Sequence, residues 1–335
     1  MSNLIGRHFI SCEDFTKDEI EQIIDESIRL KAKYKNNELT NYLINKTLFM
    51  IFFEQSTRTR NSMEAGMTQL GGHAHDLTSG KMQISHGETP RDTAKVLSEM
   101  GEVIAIRNCF HGIGNKYLND IAKNSDIPLI SMQDDIYHPL QAIADLMTIQ
   151  EVFGKDLSEL KVAVSWAYAT SHAKPLSVPQ SQILLFPRFG LNVVVGHPEE
   201  FPLEADIVDR AKSFAKESGA KLEFVNDMDA CVEDADIVIP KNWGGFAHFD
   251  EFVDDDEHFD IMKNNLEKHK DWIFDSRRRK LAGDDCKIMH ALPADRGNEI
   301  TDEVLDSPDS IIYQEAGNRL HTAKGLLSLL LEHNG

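Results

Sequence analysis

Apolar residues along the chain switch repeatedly between two spacings. Short continuous or alternating runs, "KTLFMIFF", "AHDL", "EVIAIRNC" and "IPLISMQ", read as strands. Between them, stretches with an apolar residue every third or fourth position read as helices: "SCEDFTKDEIEQIIDESIRLKAKY", "STRTRNSMEAGMTQLGG", the loop and helix "ISHGETPRDTAKVLSEMG", and "NKYLNDIAKNS". A long helix, "HPLQAIADLMTIQEVFG", leaves this half, and from Leu160 the pattern begins again with "KVAVSWAY", "NVVVGHP", "KLEFVND", "DIVIPKNW" and "CKIMHALP". Strands alternating with helices predict parallel sheets, here in two doubly wound α/β domains that meet near residue 150.

Composition narrows the class. The 335 residues, 41% hydrophobic and 27% charged, suit a soluble globular protein with two cores. No window approaches the roughly 18 apolar residues of a membrane span, and "MSNLIGRHFISCEDF" lacks the apolar stretch of a secretory leader, so the expected location is the cytoplasm. A net charge of -20 argues against nucleic acid or anionic lipid as partner. The four cysteines, Cys12, Cys109, Cys231 and Cys286, form no CxxC pair, which fits reduced structural thiols. His73 and His75 alternate on a short strand with no third ligand in spacing, and "HGIGNK" lacks the Walker pattern. No metal or cofactor is expected.

Chemistry concentrates where "KTLFMIFF" runs into Ser56-Thr57-Arg58-Thr59-Arg60. A strand feeding a helix N-terminus presents unpaired backbone N–H groups and the positive end of the helix dipole, a ready anion site. The hydroxyls of Ser56, Thr57 and Thr59 add donors, and an arginine adds a forked permanent charge. Residues two apart on a helix lie about 200° apart around its axis, so Arg58 and Arg60 cannot face one ligand by the same route. Arg58 is assigned to the ligand; an ordinary cap with an ion-paired surface arginine is the competing reading.

Three further clusters carry polar groups at element ends. In "YHPLQAIAD" Pro139 suits a first helical turn, which puts His138 at the helix mouth and Gln141 one turn on. His138 can donate to a carbonyl oxygen, and Gln141 can accept from an amide NH2, although a histidine before proline is also a common cap. "MHALPADRG" ends a buried strand, with a Leu-Pro bond that suits the cis form. "EAGNRLHTAKGLLSLLL" opens a strongly apolar terminal helix with Arg319.

STRTR, "HPLQ", "HALP" and "NRLH" follow in the order and spacing of the aspartate and ornithine carbamoyltransferases, which the whole chain resembles. The resemblance implies a carbamoyl phosphate domain over 1–150, an acceptor domain over 151–316, and a C-terminal helix, 317–335, packed back on the first. It implies trimers or assemblies of trimers with active sites between subunits. Carried over by position, Ser56, Thr57, Arg58 and Thr59 hold the phosphate, Arg107 of "AIRNC" reaches phosphate and carbonyl oxygens, and Arg319 completes that site. His138 polarises the carbonyl, Gln141 and the Leu292 carbonyl hold the carbamoyl NH2, and Gln83 reaches a neighbouring subunit's site.

The acceptor side departs from both familiar relatives. Ornithine enzymes carry an "SMG" loop and HCLP, whereas here the loop reads "IPKNWGGFAHF" and Ala291 replaces the cysteine. The arginine-rich loop of aspartate enzymes is missing too. "WAYATSHAKPLSVPQS", "PKNW" and "DSPDSIIYQEAGNRLH" look like the N-acetylornithine and N-succinylornithine carbamoyltransferases, which thread a proline-rich loop into a deep trefoil-type knot; Lys174, Pro175 and Pro179 mark that loop. Within this subgroup Lys241 and Trp243 line the acceptor site, and Asp134 and His172 are further candidates. Glu299 stands where acetylornithine enzymes tend to have a lysine, so the acceptor stays open among N-substituted ornithines, ornithine itself and related diamino or ureido acids. The direction is open as well, since phosphorolysis of a ureido acid would form carbamoyl phosphate. A phosphate-binding regulatory paralogue is the non-enzyme alternative.

Overall fold

The structure, a computed structural model, describes residues 3–170, 174–245 and 263–331 and divides into two compact units, 1–147 with 316–335, and 148–315. The first begins with two successive caps. Ser11 caps a 3-10 turn at Cys12–Asp14, and Thr16 then forms a capping box with Glu19 to start α1 (Lys17–Lys35). The single helix expected from Ser11 is thus interrupted at Phe15, because Thr16-x-x-Glu19 supplies a second and complete N-terminal signal.

The first sheet holds β1 (Thr47–Phe52), β2 (His73–Thr78), β3 (Val103–Asn108) and β4 (Leu129–Asp134), all parallel, in the order β2-β1-β3-β4. α2 (Arg58–Gln69), α3 (Pro90–Ser98) and α4 (Gly114–Asn124) connect them. Ile51, Ile104 and Ile106 on one face pack with Ala94, Leu97, Leu118 and Ile121 into a core cluster. From β1 the chain goes to the neighbour on one side, β2, and then to β3 on the other. The strand order therefore reverses between β1 and β3, which in open parallel sheets leaves a crevice at the carboxyl ends of those strands.

The second sheet repeats the plan with β5 (Lys161–Trp166), β6 (Asn192–Gly196), β7 (Leu222–Val225), β8 (Ile237–Lys241) and β9 (Lys287–Ile288), parallel in the order β7-β6-β5-β8-β9. Val162, Val164, Val193, Val195, Ile237 and Ile239 are buried, as strands covered on both faces require. Here the reversal lies between β5 and β8, at Trp166 and Lys241. "CKIMHALP" shrinks to a two-residue strand: its ladder ends at the Met289 N–H on the Val238 carbonyl, and the next N–H, of His290, turns to the Glu315 carboxylate. Pro179, expected in a loop, lies within the helix Ser177–Leu185. Among the described residues no helix is long and apolar enough to cross a membrane.

The C-terminal helix, Ile312–Leu330, meets α1 at a backbone approach that only glycine permits. A Cβ at Gly325 would stand 2.1 Å from Ser27 Oγ and 2.8 Å from the Ile23 carbonyl oxygen. Gly325→Ala is expected to destabilise the first unit by about 1–3 kcal/mol, overpacking outweighing the helix-propensity gain of about 1 kcal/mol. An unchanged urea midpoint in that variant would contradict this close approach.

Candidate active site

Helix α2 starts differently from its neighbours. α1 and α3 each have a threonine that accepts from a first-turn N–H, with acidic residues in that turn. Thr57, the N-cap of α2, makes no side-chain cap bond, and the first turn holds no acidic residue. Its positive end, at the carboxyl end of β1 beside the strand-order reversal, thus lacks both a side-chain cap and a first-turn acid. The two arginines also separate as helix geometry requires. Arg60 lies over the Phe52 ring, 3.9 Å from the centroid, and pairs with Asp76 of β2, so it serves the sheet.

Arg107 stands at the end of β3, immediately after a register shift between Ile106 and Arg107, the kind of irregularity that re-aims a side chain. Its Nε lies 3.8 Å from Glu54 Oε2, too far for a hydrogen bond. Glu54 Oε1 instead accepts from the Cys109 N–H at 2.7 Å and ties the loop after β1 to the end of β3.

His138 ends the turn after β4 and opens α5 (Pro139–Phe153), its carbonyl accepting from the N–H groups of Gln141 and Ala142. The ring is buried, 4% exposed. Burial, and then the charges of Arg319, Arg107 and Arg58, hold it well below the ordinary histidine value, so it is a neutral imidazole. Arg319 donates to Gln141 Oε1 through one terminal nitrogen and to Thr59 Oγ1, at 3.1 Å, through the other, joining α2, α5 and the C-terminal helix. Gln141 Nε2 donates to Asp145 Oδ1 at 2.7 Å. A carboxylate only accepts, so Asp145 fixes the amide with its oxygen toward Arg319.

Asp134 does not stand open to an amine as expected. It is fully buried, accepting from Ser131 Oγ and from the N–H groups of Ile136 and Tyr137. Burial pushes its carboxyl up to about 7 against those bonds. The side chain shapes the turn that delivers His138. Gln83 is exposed in a 3-10 turn, Gln83–His86, on the loop before α3.

In the second unit the expected acceptor residues are inward-facing. Trp243 is fully buried: its Nε1 donates to the Phe201 carbonyl, and its own carbonyl accepts from Trp166 Nε1. Lys241 is 9% exposed and paired with Glu299 at 2.9 Å. Neither presents an open wall or a spare charge, because each is satisfied by a residue distant in sequence. His172 lies outside the described residues. Leu292 has a φ of 49° and precedes a cis proline, with a half-buried side chain.

The sequence reading missed Asp145 and the partnership of Glu299. Asp145 had a signal: it is i+4 from Gln141 and the one charge early in an apolar helix. The Glu299 partnership had none, since Lys241 is 58 residues away.

The model "Aspartate/ornithine carbamoyltransferase, carbamoyl-P binding domain" matches residues 7–151, and "Aspartate/ornithine carbamoyltransferase, Asp/Orn binding domain" matches residues 172–330. The chain is 37% identical over 321 residues to an ornithine carbamoyltransferase of Caldicellulosiruptor saccharolyticus, covering 96% of this chain and 97% of that one. It is similar to the solved structure of ornithine carbamoyltransferase from Pyrococcus furiosus (TM-score 0.87, 34% identity, 99% of both chains). It is likewise similar to that of acetylornithine transcarbamylase complexed with acetylcitrulline (TM-score 0.88, 29% identity, 98% of this chain and 100% of that one).

The neutral state of His138 makes a pH prediction. Above about pH 6.5 the ring is neutral in both folded and unfolded chains, and its contribution is constant. Below that value the unfolded chain binds a proton that the folded chain refuses, so stability falls, by at most about 1.4 kcal/mol per pH unit, until the folded pKa is reached. His138→Asn should therefore lose stability less steeply than the wild type between pH 6.5 and 5 in urea denaturation. Equal slopes would mean that the native ring accepts the proton.

Proposed function

We infer the function from one premise: the chain belongs to the aspartate/ornithine carbamoyltransferase family. It is a carbamoyltransferase, with a carbamoyl phosphate domain and an amino-acid acceptor domain. The observation that carries the residue-level reading is the set of three guanidinium groups bearing on a neutral, buried His138 beside the uncapped start of α2. A dianionic phosphate next to an uncharged carbonyl is the ligand such a set suits.

In this reading Ser56, Thr57, Arg58, Thr59, Arg107 and Arg319 take the phosphate. His138 donates to the carbamoyl oxygen, while Gln141 Oε1 and the Leu292 carbonyl accept from the carbamoyl NH2. Gln141 Oε1 has a second lone pair beyond the one taken by Arg319. A neutral amine attacks the carbamoyl carbon, charge grows on its oxygen, the C–O bond to phosphate breaks, and the departing phosphate takes the proton that the attacking nitrogen gives up. Fixed donors aimed at that oxygen stabilise the transition state. No metal or organic cofactor enters the reading, and the working form is a trimer with Gln83 acting on a neighbouring subunit.

For the acceptor we favour an N-substituted ornithine or a related diamino or ureido acid, supported by the missing SMG loop and by the likeness to acetylornithine transcarbamylase. Lys241 is not its anchor, since Glu299 neutralises it. Ornithine is the second reading, favoured by the 37% identical relative. The deciding assay offers ornithine, its N-acyl forms, putrescine, diaminopropionate and aspartate with carbamoyl phosphate and measures ureido product, with phosphorolysis of the products run in reverse. Ornithine as the best acceptor would overturn the first reading; no product from any amine would remove both.

Arg58→Gln should fold normally and lose activity by about 10- to 150-fold, the loss of one charge-assisted hydrogen bond of about 1.5–3 kcal/mol. Arg60→Gln should lose stability and keep its affinity for inorganic phosphate. If both variants bind phosphate as the wild type does, the cradle is misassigned. Mixing Arg58→Gln with Gln83→Ala subunits under exchanging conditions should restore part of the activity, and no recovery would count against a shared site.

A further inference from the structure

We infer that Glu299, acting through His290, is a positioning residue for the transfer: it selects the imidazole tautomer that holds the Leu292 peptide, and Lys241 belongs to this clamp. The inference rests on the proposed reading only in giving the Leu292 carbonyl its role.

Leu292 adopts a left-handed backbone conformation, φ 49°, from which a leucine gains nothing. Such a residue persists where its surroundings over-determine it. Its N–H donates to His290 Nδ1 at 2.8 Å, so that nitrogen must carry a lone pair. The other ring nitrogen, Nε2, lies 3.2 Å from Glu299 Oε2, and a carboxylate only accepts, so Nε2 must carry the proton. One arrangement satisfies both contacts, the neutral Nε2–H tautomer. Moving the proton to Nδ1, or adding a second one, sets an N–H against the N–H of Leu292.

Glu299 is built to keep that choice. Oε1 accepts from Lys241 Nζ at 2.9 Å and from the Asn242 N–H at 2.7 Å. Oε2 accepts from the Asp295 N–H at 2.6 Å as well as from His290. Burial pushes the carboxyl up, but the Lys241 ammonium, His290 and Lys174 outweigh it and keep it ionised. The His290 N–H donates to Glu315 Oε2 at 2.8 Å, so the ring hangs from an anchored backbone. Glu299 thereby holds the segment 290–295 at both ends, and with His290 at 1% exposure and Glu299 at 0%, water cannot replace either bond. Burial also holds His290 below the ordinary histidine value, against the opposing pull of Glu299.

The test starts with the wild-type enzyme. Long-range 1H–15N correlation on histidine-labelled protein, with His290→Asn to identify the signal, should show the Nε2–H tautomer at His290 from about pH 6 to 8, spanning the ordinary histidine range. An Nδ1–H ring or an imidazolium would overturn the inference with no variant needed to fold. Glu299→Gln turns an NH2 toward two donors whichever way its amide faces. It should lower kcat/KM for carbamoyl phosphate about tenfold or more, the size of a lost charge-assisted hydrogen bond, while inhibition by inorganic phosphate changes less than about twofold, the phosphate contacts lying elsewhere. Glu299→Asp, which keeps a carboxylate, should recover part of the loss. An unchanged kcat/KM, or parallel losses of kcat/KM and phosphate inhibition, would also overturn it, the second by marking general damage. Absence of any carbamoyl transfer in the wild type would instead sink the proposed function, leaving the tautomer result to stand or fall separately.

Discussion

Positive charge gathered around a buried, uncharged ring is the constraint to which the first unit is built. Arg58, Arg107 and Arg319 all bear on His138, and like charges brought together repel unless an anion arrives. The scaffold holds these charged groups with rigid elements. Arg107 is aimed by an irregularity at the end of β3, and Arg319 is bonded to Thr59 and Gln141. Asp145 keeps Gln141 from turning its NH2 toward a cation. Of the acidic side chains nearby, Asp134 serves its own turn and Asp76 pairs with Arg60, while Glu54 stands 3.8 Å from Arg107.

The second unit solves the opposite problem. At its strand-order reversal the ionisable groups are matched inside the protein, Lys241 with Glu299 and the Glu299 carboxylate with three further donors. Breaking such a pair leaves a buried charge uncompensated and costs about 3–5 kcal/mol. An acceptor could recruit Lys241 only by meeting that cost, which makes the lysine a poor recognition element.

That contrast explains what was legible in the sequence. The parallel strands were readable because buried strands announce themselves as short apolar runs, and the Ser56–Thr59 cluster stood out because it follows such a run. Arg58 and Arg60 were told apart by helix geometry alone, and Phe52 and Asp76 account for the second of them. The start of α1 was misplaced because two capping signals stand only five residues apart, at Ser11 and Thr16. That Trp243 and Lys241 face inward was not legible, for a different reason. A position next to a strand end faces either the crevice or the interior, and only the distant partners, Phe201 and Glu299, decide which.

The neutrality of His138 has a further consequence for the proposed reaction. A cationic ring would attract the phosphate dianion equally before transfer, during it and after it, and uniform binding of that kind lowers KM without raising kcat. It would also hold the departing phosphate. A neutral N–H donor interacts modestly with an uncharged carbonyl and more strongly as that oxygen gains charge, so its contribution grows along the reaction coordinate. In the proposed reaction the three arginines act in two ways at once: they take the phosphate, and together with burial, the larger cause, they keep the proton off His138 and leave the ring as the group whose bond strengthens when the carbonyl becomes an oxyanion.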